Sequence, residues 1–104
     1  MISSLDQLKQ SIDNYEREPN DDAAQMINLE SLWPALHCLM MLSDQPTEVI
    51  TLCKKGSDVL LKANPPSRLT QHYGKHLEWK ANLLEARLKH DHERVRTLLQ
   101  LETH

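Results

Sequence analysis

The sequence predicts an all-α protein, an antiparallel bundle of about four helices that ends in a long C-terminal helix or a helical hairpin. The chain of 104 residues has only 2 glycines and 5 prolines, no phenylalanine, and 4% aromatic residues. Sandwiches and barrels need a turn roughly every ten residues, so this shortage of turn formers argues against them. Apolar residues recur at helical spacing, and the length suits one domain over residues 1–104.

The first helix is predicted to begin at Ser3 or Ser4 and to end before Pro19. Ser4 and Gln7 have the spacing of a capping box, and the residue before a proline is disfavoured in helical conformation. The apolar residues between these ends form one heptad-like stripe: Leu5, Leu8, Ile12 and Tyr15.

The next segment, residues 20–30, is compatible with a short helix or an ordered loop. Ser31 is then predicted to cap a second helix over residues 32–42, with Pro34 tolerated in its first turn. This helix is apolar almost all round, which is typical of a central helix or of half an interface. Its apolar members are Leu32, Trp33, Leu36, Cys38, Leu39, Met40, Met41 and Leu42.

A third helix is predicted to begin at Ser43 or Asp44, with Pro46 in its first turn. The apolar phase continues through Gly56, which we interpret as a point of close approach by another helix. A break at Gly56, with Ser57 capping a new helix, is the alternative. The Asn-Pro-Pro sequence at residues 64–66 is expected to stop the helix.

The terminal segment is predicted to begin at Ser67 or Thr70. Its apolar residues recur three or four apart and therefore share one helical face. The phase falters at residues 89–92, so either one helix runs through or a tight turn makes a hairpin, and we favour the continuous helix. The stripe consists of Leu69, Tyr73, Leu77, Leu84 and Leu88, with Val95, Leu98 and Leu99 after the interruption.

Charge is unevenly distributed along the chain. Residues 1–64 hold ten acidic and five basic residues, whereas residues 65–104 hold five and seven, together with five of the six histidines. Acids are interspersed among these bases, which suits pairing on a solvated helix better than a track for phosphates. The bases are Arg68, Lys75, Lys80, Arg87, Lys89, Arg94 and Arg96.

No catalytic, metal or cofactor site is predicted. His72 and His76 are four apart, the spacing of two metal ligands on a helix, but no third ligand follows. His37 lies in an apolar helix, where desolvation would oppose a phosphohistidine. Cys38 and Cys53 have no ligand-like or catalytic neighbours and are interpreted as buried thiols in a reducing compartment.

The surplus of apolar helix surface favours a non-catalytic protein-binding role. We expect an adaptor, small chaperone or regulator that binds another protein's helix and also forms a homodimer. Trp33 and Met40 are expected at the interface, whereas Leu36 and Trp79 are expected in the core. The full set of predicted protein-binding residues is Trp33, Met40, Met41, Tyr73, Leu77, Leu84 and Leu88.

In its small size, its acidity and its all-helical character, the chain resembles small bacterial secretion and flagellar-export chaperones. A nucleic-acid-associated regulator that uses the basic, histidine-rich C-terminal part is the alternative, although nucleic acid is the less favoured partner. The longest apolar run, about eleven residues, is too short for the roughly twenty that span a bilayer. No secretory signal is visible either. We therefore expect a cytoplasmic protein without a membrane partner.

Overall fold

The computed structural model describes residues 4–33, 46–64 and 66–102. This part of the chain contains no strand, and its helices confirm the all-α class. None of them is long and apolar enough to span a membrane. The helices are α1 (Ser4–Arg17), α2 (Asp21–Trp33), α3 (Pro46–Leu61), α4 (Arg68–Leu88) and α5 (His92–Glu102).

The main core lies between α1, α2, α3 and α4. Packing is most extensive between α3 and α4, and α1 packs mainly on α2. The stripe of α1 faces inward as predicted, with Leu8, Ile12 and Tyr15 buried and Leu5 packed against them. The remaining buried apolar residues of this core are Ala24, Ile27, Val49, Ile50, Leu52, Cys53, Leu60, Leu77, Ala81 and Leu84.

The start of α2 differs from the predicted helix boundary. Asn20 accepts a hydrogen bond from the Ala23 amide at 2.8 Å, and the helix then runs without a break to Trp33. Ser31 is therefore an interior residue, and the prediction that it caps a helix is wrong. Its buried hydroxyl donates to the Asn28 carbonyl at 3.0 Å, because serine within a helix can bond to the preceding turn instead of capping. Most of the helix predicted over residues 32–42 lies outside the described residues.

Helix α3 is continuous through Gly56, as predicted, and it packs closely on α4. A Cβ atom on Gly56 would lie 3.2 Å from Leu77 Cδ1, and one on Gly74 would lie 2.7 Å from Leu61 Cγ. Between these glycines, the buried Ser57 hydroxyl donates to the Gly74 carbonyl at 2.7 Å. Gly56 and Gly74 therefore let the backbones of α3 and α4 approach closely. The hydrogen bond from Ser57 to Gly74 joins the two helices at this point.

Helix α4 begins where the sequence indicated, at the Ser67 cap. The Ser67 hydroxyl accepts from the Thr70 amide at 3.1 Å, and the Ser67 amide donates to Thr70 Oγ1 at 3.0 Å. This reciprocal pair is a capping box in which threonine takes the third helical position. The Ser67 hydroxyl also lies 3.3 Å from Asp21 Oδ1, which links the start of α4 to the start of α2.

The chain turns between α4 and α5, so the favoured prediction of one continuous helix is wrong. His90 has φ of 57°, and its amide donates to the Arg87 carbonyl at 3.1 Å. The Asp91 amide donates to the Ala86 carbonyl at 2.9 Å. These are the two bonds of a Schellman motif, with His90 at the left-handed position that glycine usually occupies. Asp91 Oδ1 then accepts from the Arg94 amide at 3.2 Å and caps α5.

Helix α4 is covered on two sides. Leu77 and Leu84 face the main core, whereas Leu83 and Ala86 form a second, smaller cluster with Leu98 of α5. Trp79 and Val95 pack against this smaller cluster. The Trp79 indole N–H donates to the Leu98 carbonyl at 2.6 Å. Trp79 is therefore partly buried as expected, but under α5 and apart from the main core.

Lys80 is fully buried. The prediction that the C-terminal basic residues lie on a solvated helix face is therefore wrong for this residue. It follows Leu77 by three positions and precedes Leu84 by four, so helical register places it on the core side. Its alkyl chain can pack among apolar neighbours, which is how long basic side chains bury their stems.

Candidate protein-binding surface

The outer side of α2 exposes apolar side chains. Met26 is 47% exposed and Leu29 is 55% exposed, whereas Ala24 and Ile27 on the inner side are fully buried. Residues three apart are neighbours on a helix surface, so Met26 and Leu29 form one ridge. We call these two residues the α2 face. Helix position 33 continues the ridge in register, although the Trp33 side chain lies outside the described part of the chain.

Two more exposed leucines lie near the turn between α4 and α5. Leu88, at the end of α4, is 43% exposed, and Leu99 of α5 is 39% exposed. We call them the hairpin leucines. The α2 face and the hairpin leucines are the large hydrophobic residues that the described structure leaves open to solvent.

The predicted binding residues differ widely in burial. Leu77 and Leu84 are buried in the main core, so the fold removes them from any exposed surface. Tyr73 is partly buried against the same core, and Leu88 is exposed. The Trp33 side chain and all of Met40 and Met41 lie outside the described residues, as do Leu36, His37 and Cys38.

Sequence patterns alone did not identify the α2 face, because residues 20–30 are compatible with a short helix or an ordered loop and Ser31 was predicted to cap a helix. The available signal was the spacing of Met26, Leu29 and Trp33, which falls on one side of a continuous helix.

The helix that carries the α2 face is acidic. Helix α2 carries Asp21, Asp22 and Glu30 and no basic residue. Asp22 is exposed and lies one helical turn before Met26 on the same side of α2, and neither Asp22 nor Glu30 has an ion-pair partner among the described residues.

Glu85 forms ion pairs with basic residues on both sides of the turn between α4 and α5, and with one on α3. This carboxylate lies 2.7 Å from Lys54 Nζ, 3.6 Å from Arg94 and 3.8 Å from Lys89. The hydrogen bond from Lys54, followed by the charges of Lys54, Lys89 and Arg94, lowers the pKa of Glu85 below its usual value. Glu85 therefore links α3, α4 and α5, and two of the C-terminal bases are committed to contacts within the chain.

The Cys53 thiol is fully buried in the main core. Burial raises its pKa from 9.0 to about 11, and the positive charge of Lys80 opposes this only in part. A thiol needs its ionised form to act as a nucleophile, so Cys53 is an inert core residue at neutral pH.

Native Cys53 is expected to resist alkylation near neutral pH and to react quickly once the protein is unfolded. With a pKa of about 11, roughly one Cys53 in ten thousand is ionised at pH 7, and the thiol is also enclosed. Alkylation with iodoacetamide, followed by peptide mass mapping in native buffer and in urea, measures this difference at Cys53. Equal rates in the two solvents would contradict burial of the thiol.

The histidines with metal-like spacing take part in aromatic contacts. The His72 ring lies 5.6 Å from that of Tyr73, and the His76 ring lies 5.7 Å from that of Trp79. Across the described ranges, no group of three or more histidine, cysteine, aspartate or glutamate residues could hold a metal ion.

Two open clefts lie on the described surface. One, of about 310 Å³, lies between α3 and α4 and is lined by Lys54, Ser57, Asp58, Leu61, Glu78 and Asn82. Two of its polar side chains bond to other parts of the protein: Lys54 forms an ion pair with Glu85, and the Ser57 hydroxyl donates to the Gly74 carbonyl. The other, of about 260 Å³, lies where α2 and α4 begin, beside the Asn20 and Ser67 caps. In this second cleft the Ser67 hydroxyl lies 3.3 Å from Asp21 Oδ1, and the same hydroxyl also caps α4.

The fold and this surface define a small helical protein with an exposed apolar helix face. No family model, curated protein or solved structure matches the chain.

Proposed function

We propose that this chain is a non-catalytic protein-binding adaptor, small chaperone or regulator that receives a helix of another protein on the α2 face. The observation that carries the proposal is the pair Met26 and Leu29, which stand about half exposed on a helix whose opposite side fills the core. Methionine is flexible and polarisable, and exposed apolar ridges of this kind are typical anchors for a partner helix.

Charge adds a preference among partners. The α2 face lies on a helix with three acids and no base, and Asp22 stands on the outer side one turn before Met26. A partner helix would match this surface if its apolar stripe packed on the α2 face and one of its basic residues lay near Asp22. Complementary charge of this kind mainly steers encounter and fixes orientation, and the buried apolar anchors supply most of the affinity.

The test compares two double variants in affinity capture from the native cell. Met26→Gln with Leu29→Gln removes the α2 face, and Leu88→Gln with Leu99→Gln makes the same chemical change at the hairpin leucines. All four residues are substantially exposed, so both variants are expected to fold like the wild type. A partner retained by the wild type should be lost by the α2 variant, with a cost of about 2 kcal/mol or more, and kept by the hairpin variant.

Loss in the hairpin variant alone would contradict the assignment to α2. Equal retention by both variants would do the same. Capture of nucleic acid instead, with affinity that falls steeply as salt rises, would favour a nucleic-acid-associated regulator.

A further inference from the structure

The cleft of about 260 Å³ lies at the end of the bundle where α1 and α3 end and where α2 and α4 begin. We call it the Asp21 cleft. None of the residues of the α2 face lines it. Its walls are formed by Tyr15, residues 19–21, residues 63–64, and Pro66, Ser67 and Thr70.

Tyr15 contributes a hydroxyl to this cleft. The residue is only 4% exposed, because its ring packs in the main core, yet it forms part of the cleft wall. The hydroxyl forms no hydrogen bond with the part of the chain that the structure describes. Most buried polar side chains have such a partner. The Tyr15 hydroxyl is therefore available to a molecule that enters the cleft.

Asp21 gives the same cleft a negative charge. Its Oδ1 atom lies 3.3 Å from the Ser67 hydroxyl, and the carboxylate has no basic partner among the described residues. Burial, followed by the charge of Asp21, raises the pKa of Tyr15, so this charge acts at the tyrosine hydroxyl. The described residues that line the cleft include no lysine, arginine or histidine.

The two helix starts at the cleft do not make it a site for an anion. The Ala23 amide donates to Asn20 and the Thr70 amide donates to Ser67, so a side chain already satisfies one donor at each start. The carboxylate of Asp21 would also repel an anion. A ligand that satisfies the hydroxyl and carboxylate oxygens of the cleft must donate hydrogen bonds, and positive charge makes those bonds stronger.

From these observations we propose that the Asp21 cleft binds an ammonium or guanidinium group on an aliphatic stem, the chemistry of a lysine or arginine side chain. The cationic group would lie against the Asp21 carboxylate and the Tyr15 hydroxyl. The stem would lie along the apolar parts of the wall, which Pro19, Ala63 and Pro66 provide.

Titrations followed by NMR of the ¹⁵N-labelled protein at constant ionic strength test this proposal. The probes are Nα-acetyl-lysine N-methylamide and Nα-acetyl-arginine N-methylamide, together with n-butylamine as a free amine. We expect saturable shifts of the amides of residues 20, 21 and 67, with dissociation constants of about 1–10 mM. Binding of the first two probes would show that the cleft admits a side chain of another protein, whereas binding of n-butylamine alone would identify a free amine as the ligand.

Asp21→Asn and Asp22→Asn form a matched pair, because they make the same change in the first turn of α2 and only Asp21 lines the cleft. Asp21→Asn should weaken binding about tenfold through loss of a charge-assisted hydrogen bond. Asp22→Asn should weaken it by at most about twofold, since salt screens the more distant charge. Tyr15→Phe keeps the ring in the core and removes the hydroxyl, so it should weaken binding about threefold. This variant serves as the test if Asp21→Asn does not fold.

Equal weakening by the two asparagine variants would show diffuse attraction to acidic residues and would overturn the proposal. Equal binding of Nα-acetyl-norleucine N-methylamide, which has an uncharged stem, would do the same. Saturable binding of phosphate at these amides, or no saturable shift with any amine at about 50 mM, would also overturn it. The α2 face lies outside the cleft, so each of these failures would leave its proposed role intact.

Discussion

Leu77→Ala is expected to lower the free energy of unfolding by about 2–5 kcal/mol, the usual cost of truncating a buried leucine. Leu77 has no exposed surface, and its Cδ1 packs directly against Gly56 of α3. The cavity would open at the crossing of α3 and α4, where the packing of the molecule is most extensive. Urea denaturation followed by circular dichroism measures the change.

Leu88→Ala is the matched control, because the substitution is the same and the leucine is 43% exposed. We expect it to change the unfolding free energy by less than about 1 kcal/mol, as exposed substitutions usually do. A large effect at Leu88, or a negligible effect at Leu77, would contradict the division between core and surface.

Trp79→Ala is expected to release α5 while the main core stays folded, with a local loss of about 2–4 kcal/mol. The indole covers the smaller cluster and donates to the Leu98 carbonyl at 2.6 Å. Without it, α5 would keep the packing of Val95 and Leu98 against Leu83 and Ala86, and the ion pair between Arg94 and Glu85. In hydrogen-exchange measurements, the α5 amides of Trp79→Ala should exchange faster than those of the wild type. The α1 and α3 amides should exchange at the wild-type rate.

Trp79→Phe separates the hydrogen bond from the packing. Phenylalanine keeps most of the apolar contact but cannot donate, so we expect a smaller loss, of about 1 kcal/mol. Uniformly faster exchange across all helices in Trp79→Ala would show that α5 and the main core unfold together, which would contradict a separate cluster.

Together, these two predictions assign different roles to residues that look equivalent in the sequence. Leu77, Leu84 and Leu88 all belong to one leucine stripe, yet the first two are core residues and only the third is exposed. Trp79 was expected in the core and instead anchors a single peripheral helix. The proposed binding surface therefore rests on Met26 and Leu29, which lie outside that stripe.

The signals that succeeded are local in the chain. The stripe of α1, the start of α4 at Ser67 and the stop after α3 each depend on residues within one or two turns of each other. Proline geometry, capping hydrogen bonds and helical spacing act over that distance, so the printed sequence contains them in full. The all-α class follows for the same reason, because the shortage of glycine and proline removes the tight turns that sheets require.

The signals that failed depend on what packs against a residue. Ser31 could cap a helix or bond to the preceding turn, and His90 could continue a helix or enter the left-handed region. Contacts distant in sequence decide between such alternatives, here the burial of Ser31 and the docking of Leu98 against Trp79.

The sequence by itself determined the all-α class, both ends of α1, the end of α3 and the start of α4. Only the tertiary structure decided which apolar residues are covered, that Lys80 lies inside, and that the last helix folds back on α4. The physical reason is that helical periodicity shows which residues share a face, whereas burial depends on which other helix covers that face.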